Sequence, residues 1–165
     1  MKTLKKIIFL FLFLALYLGC SKDNSEEQTP VPVPEVVEAY EALNVSYGSD
    51  ENQVFDIYLP ENRTNNTKIL ILIHGGSWIS GDKLDMNSIK AFISALHPNV
   101  GIVNMNYTLA GINNPPVPMQ TEDISKVVDY ISMNKSSLIV SDDIGFIGVS
   151  AGAHLSLLAK NNESI

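Results

Sequence analysis

A serine with glycine two residues to either side, Gly148-Val149-Ser150-Ala151-Gly152, follows the apolar run Ile144-Gly145-Phe146-Ile147 and opens the helix-like stretch Ala153–Ala159. Small residues at both ends of such a turn let a strand and a helix pack closely around a strained central residue, which leaves the hydroxyl exposed for attack on a carbonyl carbon. Ser150 is therefore the candidate nucleophile. A glycine-rich turn without chemistry can have the same five letters; the strand before it and the helix after it favour the catalytic reading. Upstream, Lys68-Ile69-Leu70-Ile71-Leu72-Ile73 reads as a buried strand that runs straight into His74-Gly75-Gly76-Ser77-Trp78. Acyl transfer places negative charge on the former carbonyl oxygen, and backbone N–H groups fixed in a glycine-rich turn can stabilise it without reorganising. The N–H of Gly76 or Ser77 and that of Ala151, directly after the serine, would be those donors.

With these motifs in place the sequence resembles the α/β-hydrolase superfamily, in its carboxylesterase-like branch of feruloyl/acetyl-xylan esterase-like and kynurenine-formamidase-like enzymes. The resemblance spans Val54 to Lys160. It rests on Phe55-Asp56-Ile57-Tyr58-Leu59-Pro60, His74-Gly75-Gly76-Ser77-Trp78, Gly81-Asp82-Lys83, Asn106-Tyr107-Thr108-Leu109-Ala110 and Gly148-Val149-Ser150-Ala151-Gly152-Ala153-His154-Leu155, in that order. Ala153 stands where many relatives have glycine, and Thr108 where arginine is common. The resemblance implies a serine-dependent carboxylic ester hydrolase directed at carbohydrate or small-acyl esters, with no cofactor or metal, and with His74, Gly75 and Trp78 supporting the oxyanion loop. Two alternatives are a prolyl-oligopeptidase-type peptidase and a non-catalytic surface-binding lipoprotein.

The superfamily carries its triad in the chain order serine, acid, histidine, and the chain ends at Ile165, fifteen residues after Ser150. The expectation is a truncated α/β-hydrolase domain, without the triad acid and histidine and nearly inactive alone, because a serine hydroxyl without a base keeps its proton at neutral pH. Three histidines are present. His74 resembles the residue that braces the oxyanion loop, His97 precedes Pro98 at a helix end, and His154 lies one helical turn beyond Ser150, pointing along the helix and not over the hydroxyl.

At the amino terminus Lys2, Lys5 and Lys6 precede the twelve-residue apolar run Ile7 to Leu18, which ends at Gly19-Cys20. Twelve residues are too few to cross a hydrocarbon core of about 30 Å, so residues 1–19 read as an export signal. The Gly-Cys junction resembles the bacterial lipoprotein signal, which implies lipid on Cys20, the single cysteine, and an outer-membrane or cell-surface location. Residues 20–36, polar and then proline-rich, read as a disordered tether, and 37–165 as the partial hydrolase domain. Losing residues 1–19 removes three of eleven basic residues and leaves eight against eighteen acidic ones, a formal charge near −10. With no basic cluster, nucleic acid is excluded as a partner. An ester substrate and the membrane remain, and the oligomeric state is left open.

The elements that must position these residues alternate between strand-like and helix-like runs, as an α/β sheet requires. Leu43–Tyr47 and Val54–Leu59 predict a hairpin, followed by strands Ile69–Ile73, Val100–Met105 and Ile144–Val149. Ile89, Phe92, Ile93 and Leu96 recur at helical spacing before Pro98, and Ile124, Val127, Val128 and Ile131 mark a second helix after a proline-rich loop. The fold class is α/β: the amino-terminal part of an α/β-hydrolase sheet, mostly parallel, with helices on both faces and the C-terminal strands missing. The strand before Ser150 should then be an unprotected edge, exposing backbone groups that invite aggregation.

Overall fold

The computed structural model describes residues 36–162. The expected signal peptide over 1–19, the lipidation candidate Cys20 and all but the last residue of the 20–36 tether lie outside the described residues. Five strands form one sheet in the order β1-β2-β4-β3-β5: β1 (Tyr40–Ser46), β2 (Val54–Leu59), β3 (Ile69–Ile73), β4 (Gly101–Met105) and β5 (Ile144–Gly148). Strand β3 pairs in parallel with both β4 and β5, while β2 joins β4, and β1 joins β2, antiparallel. The sheet is thus parallel at its centre and antiparallel on the hairpin side.

The two-residue period of the strands sorts side chains between two faces. Phe55, Ile57, Leu59, Ile69, Ile71, Ile73, Val103 and Met105 pack on one face, under α2 (Met119–Leu138) and α3 (Ala151–Asn162), where they meet Ile124, Val127, Ile131, Leu155 and Ala159. Leu72 and Ile102 point to the other face and pack with Ile93 of α1 (Asn87–Leu96) and with Met86 of the short 3₁₀ turn Lys83–Met86. A fully buried isoleucine contributes about 2 kcal/mol relative to an exposed one. Ile69, Ile71 and Ile73 are all fully buried, so β3 anchors the fold at the position from which the His74 loop departs.

Helices cover both faces, as the sequence implied. Three differences have physical causes. Strand β1 begins at Tyr40 and not at Leu43; it is an edge strand, exposed on most residues and bulged between Ala42 and Val45, so little burial imprints alternation on its sequence. Strand β5 ends at Gly148, because Val149 already belongs to the turn. In α1 Ile93 is buried at 5% exposure, but Phe92 and Leu96 are 65% and 57% exposed. The apolar stripe of this helix is wider than the sheet surface beneath it. Strand β5 pairs with β3 alone among the described residues, as expected for the strand leading to Ser150.

Candidate active site

Ser150 lies between β5 and α3 with φ of 53°, a left-handed conformation that costs an L-residue roughly 1–2 kcal/mol. Its side chain is exposed. Two glycines make the turn possible. A Cβ on Gly148 would fall 2.3 Å from the backbone of Gly152, and one on Gly152 would fall 2.2 Å from the carbonyl oxygen of Ile73. The start of α3 is therefore pressed directly against the end of β3, which brings the serine turn to the His74 loop. A Cβ on Gly75 would lie 3.4 Å from that of Ser150.

In the loop, Gly76, Ser77 and Trp78 have φ of 107°, 52° and 67°. The Gly76 carbonyl accepts from Ile79 N at 3.1 Å, Ser80 N at 3.0 Å and Ser80 Oγ at 3.0 Å. The Tyr107 hydroxyl donates to the carbonyls of His74 and Gly75 at 3.1 and 3.2 Å, and its ring stacks on that of His74 with centroids 4.2 Å apart. Burial of the Tyr107 phenol pushes its pKa up to about 12, so it remains a donor at every working pH. The N–H groups of Gly76, Ser77 and Ala151 make no backbone hydrogen bond among the described residues. The structure thus brings together Ser150, Ala151, Gly75 and the Gly76–Ser77 turn. His154 instead lays its ring edge-on against Trp78, with centroids 5.6 Å apart.

A protein-family model described as BD-FAE matches residues 55–164. The chain belongs to the BD-FAE family. Kynurenine formamidase of Salmo salar is 27% identical over 121 residues, 73% of this chain and 39% of that protein; the enzyme of the same name from Drosophila melanogaster is 28% identical, over 68% of this chain and 35% of its own length. The chain spans less than two fifths of these curated relatives. Among solved structures, a truncated carbohydrate esterase from gut microbiota superposes with a TM-score of 0.60 at 26% identity, over 73% of this chain and 42% of that one. Esterase B from Lactobacillus rhamnosis gives 0.58 at 26%, over 77% and 40%. These matches fix the superfamily as α/β-hydrolase.

Two further motifs of this BD-FAE chain acquire structural partners. Lys83, from Gly81-Asp82-Lys83, donates to both carboxylate oxygens of Asp56 at 2.7 and 2.8 Å, with both side chains buried. Asn106 Oδ1 accepts from Lys83 N at 2.6 Å, Asn106 Nδ2 donates to Asp82 at 3.0 Å, and Asn104 Nδ2 donates to the Lys83 carbonyl at 2.7 Å. This lattice ties β2, the 3₁₀ turn and the end of β4 into one block beside the His74 loop. Sequence reasoning placed these motifs in the family without assigning them work. A signal existed, because an aspartate or asparagine inside an otherwise apolar strand needs a buried partner. Gly81 completes the packing: at φ of 105°, a Cβ there would lie 2.5 Å from the His74 ring.

His74 is fully buried, and burial lowers its pKa from the usual value against a weaker opposing hydrogen bond to the Gly75 carbonyl. That bond, 2.7 Å from Nδ1, assigns the proton of the neutral ring to Nδ1. Below a pH of about 6.5 the unfolded chain binds a proton that folded His74 refuses. The stability that neutral His74 contributes is complete above that pH and is lost as pH falls toward the depressed folded value. Urea midpoints at pH 7.5 and 5.5 should therefore differ more in the wild type than in His74→Asn. Equal differences would show that His74 does not resist protonation in the folded state.

Proposed function

We propose that the protein acts as a serine-dependent carboxylic ester hydrolase through an acyl-enzyme, with Ser150 as nucleophile. The observation that carries this is the exposed Ser150, held at φ of 53° next to a turn in which the Gly76 and Ser77 N–H groups make no backbone hydrogen bond among the described residues. Ser150 Oγ adds to the ester carbon, the oxyanion is held by the N–H groups of Gly76 or Ser77 and of Ala151, and the alcohol leaves. Water then hydrolyses the acyl-enzyme. His74, Gly75 and Trp78 shape the loop and take no proton from the serine. A general base takes the Ser150 proton and passes it to the departing alcohol; without one the hydroxyl keeps its proton at neutral pH and acylation is slow.

Substrates of this site are small-acyl or carbohydrate esters, a choice supported by the esterase and carbohydrate esterase among the similar structures. Similarity to kynurenine formamidases favours a second reading, in which the acyl group is carried by nitrogen. Lipid on Cys20 would hold the enzyme at the outer membrane, at the end of the proline-rich tether. The test is covalent capture. In a polypeptide that also carries the base and acid, an alkyl fluorophosphonate should block p-nitrophenyl acetate turnover, and peptide mapping should place the adduct on Ser150. Turnover that persists with Ser150 fully phosphonylated would overturn the proposal. Comparison of acetyl esters with the matching formamides separates the two substrate classes.

A further inference from the structure

The geometry points to Gln120 as the positioning residue of the oxyanion loop, acting through the carbonyls of Trp78 and Thr108. This inference rests on the hydrolase reading for its kinetic consequence but not for its structural one. Gln120 sits in the first turn of α2 and is fully buried. Its amide nitrogen donates to the Trp78 carbonyl at 2.7 Å and to the Thr108 carbonyl at 2.9 Å. Both amide hydrogens are thereby used, one on each of the two loops that leave the ends of β3 and β4. The Ala110 N–H reaches the same Trp78 carbonyl at 2.8 Å. One turn along α2, buried Asp123 accepts from Thr108 N at 2.8 Å and from Gln53 Nε2 at 2.7 Å. The peptide units on both sides of Thr108 are thus held by α2, and Trp78 is hung from the same helix.

The chemistry selects glutamine. Two converging carbonyls require two donors on one planar group at neutral charge, which the amide supplies and a carboxylate does not. Flipping the amide would aim its oxygen at two carbonyl oxygens, so the orientation is fixed by this pair of acceptors. The amide oxygen itself is buried with no partner; the site holds the residue for its donors. Trp78 directly follows Gly76 and Ser77, so a displaced Trp78 carbonyl moves the N–H groups assigned above as oxyanion donors. Misplacing such donors lowers the rate of the chemical step more than it weakens substrate binding.

Trp78 is the only tryptophan of the chain, and its emission reports the loop without any turnover. Gln120→Met keeps length and removes both donors. It should shift Trp78 emission to longer wavelength, raise acrylamide quenching about twofold or more, and lower kcat about 10- to 100-fold with KM within about twofold. Gln120→Glu should behave like Gln120→Met at pH 8 and recover part of the wild-type emission toward pH 5.5, where a protonated carboxyl regains one donor; the wild type measured in parallel supplies the baseline at each pH. This second variant, compared at each pH with the wild type, decides the matter within a single protein if Gln120→Met does not fold. Wild-type emission and quenching in Gln120→Met, or a Gln120→Glu emission that tracks the wild type at every pH, would overturn the assignment. With kcat read in a polypeptide that also carries the base and acid, absence of ester turnover in every form, wild type included, would instead sink the hydrolase reading while the emission measurements still decide the role of Gln120.

Discussion

Ser150→Ala should reduce kcat for ester hydrolysis by about 10⁴-fold or more, with KM changed only a few-fold, in the polypeptide that carries the full set of catalytic groups. The substitution removes one oxygen and nothing else. Alanine keeps the Cβ that faces Gly75, the loop is anchored through Tyr107, Gln120 and Ser80, and the strained φ is equally open to either side chain. Melting temperature should accordingly stay within a few degrees of the wild type. Residual catalysis over water would come from binding and from the backbone donors, which the variant retains. Retention of more than a tenth of the activity in a folded variant would place the nucleophile elsewhere.

Lys83→Met should destabilise the protein by about 3–5 kcal/mol, the cost of leaving a buried carboxylate without its counter-ion. The Asp56 and Lys83 side chains are only 5% and 8% exposed, so water cannot replace the lost ammonium. Among the described residues Asp56 would keep a single other donor, the Asn44 N–H at 2.8 Å. The hydrogen bonds that Lys83 makes through its own backbone to Asn104 and Asn106 survive, which confines the effect to the charge. Converting both partners, in Asp56→Leu/Lys83→Met, should recover most of the loss, because apolar groups of similar volume do not need to be desolvated. Urea unfolding of the two variants and of Asp56→Leu alone completes the cycle. A cost below about 1 kcal/mol for Lys83→Met would mean that the pair is hydrated and contributes as little as a surface ion pair does.

Much of the fold was legible because burial leaves a periodic trace. The unbroken apolar run Ile69–Ile73, the serine turn between an apolar run and a helix, and the i, i+3, i+7 spacing of Ile124, Val127 and Ile131 all appear in the structure. Where burial is weak the trace fades, as in β1 and on the outer stripe of α1. The nucleophile turn and the glycine loop were readable for a different reason: their backbone conformations admit few residues, so composition records geometry. The supporting polar groups were not. Gln120 and Asp123 are two polar residues near the start of a helix, and a solvent-facing helix start reads the same way. Their significance lies in carbonyls and N–H groups 12 to 70 residues away in sequence, which no local pattern encodes. The Asp56–Lys83 pair was half visible, since each residue stood in a motif but neither motif names its partner.

The bonds that hold the His74 loop share a property. Each ends on a carbonyl: that of His74, that of Gly75, that of Gly76, that of Trp78. In a trans peptide the N–H points opposite to the C=O of the same unit. Fastening the Gly75 carbonyl to Tyr107 therefore sets the direction of the Gly76 N–H, and fastening the Gly76 carbonyl to Ser80 sets that of Ser77. The loop is a row of dipoles clamped by their negative ends, and its positive ends are what remain for a visiting anion. Its electrical polarity is thus decided by side chains that grip its carbonyls, the tyrosine and the glutamine from other elements and His74 and Ser80 from the loop's own two ends.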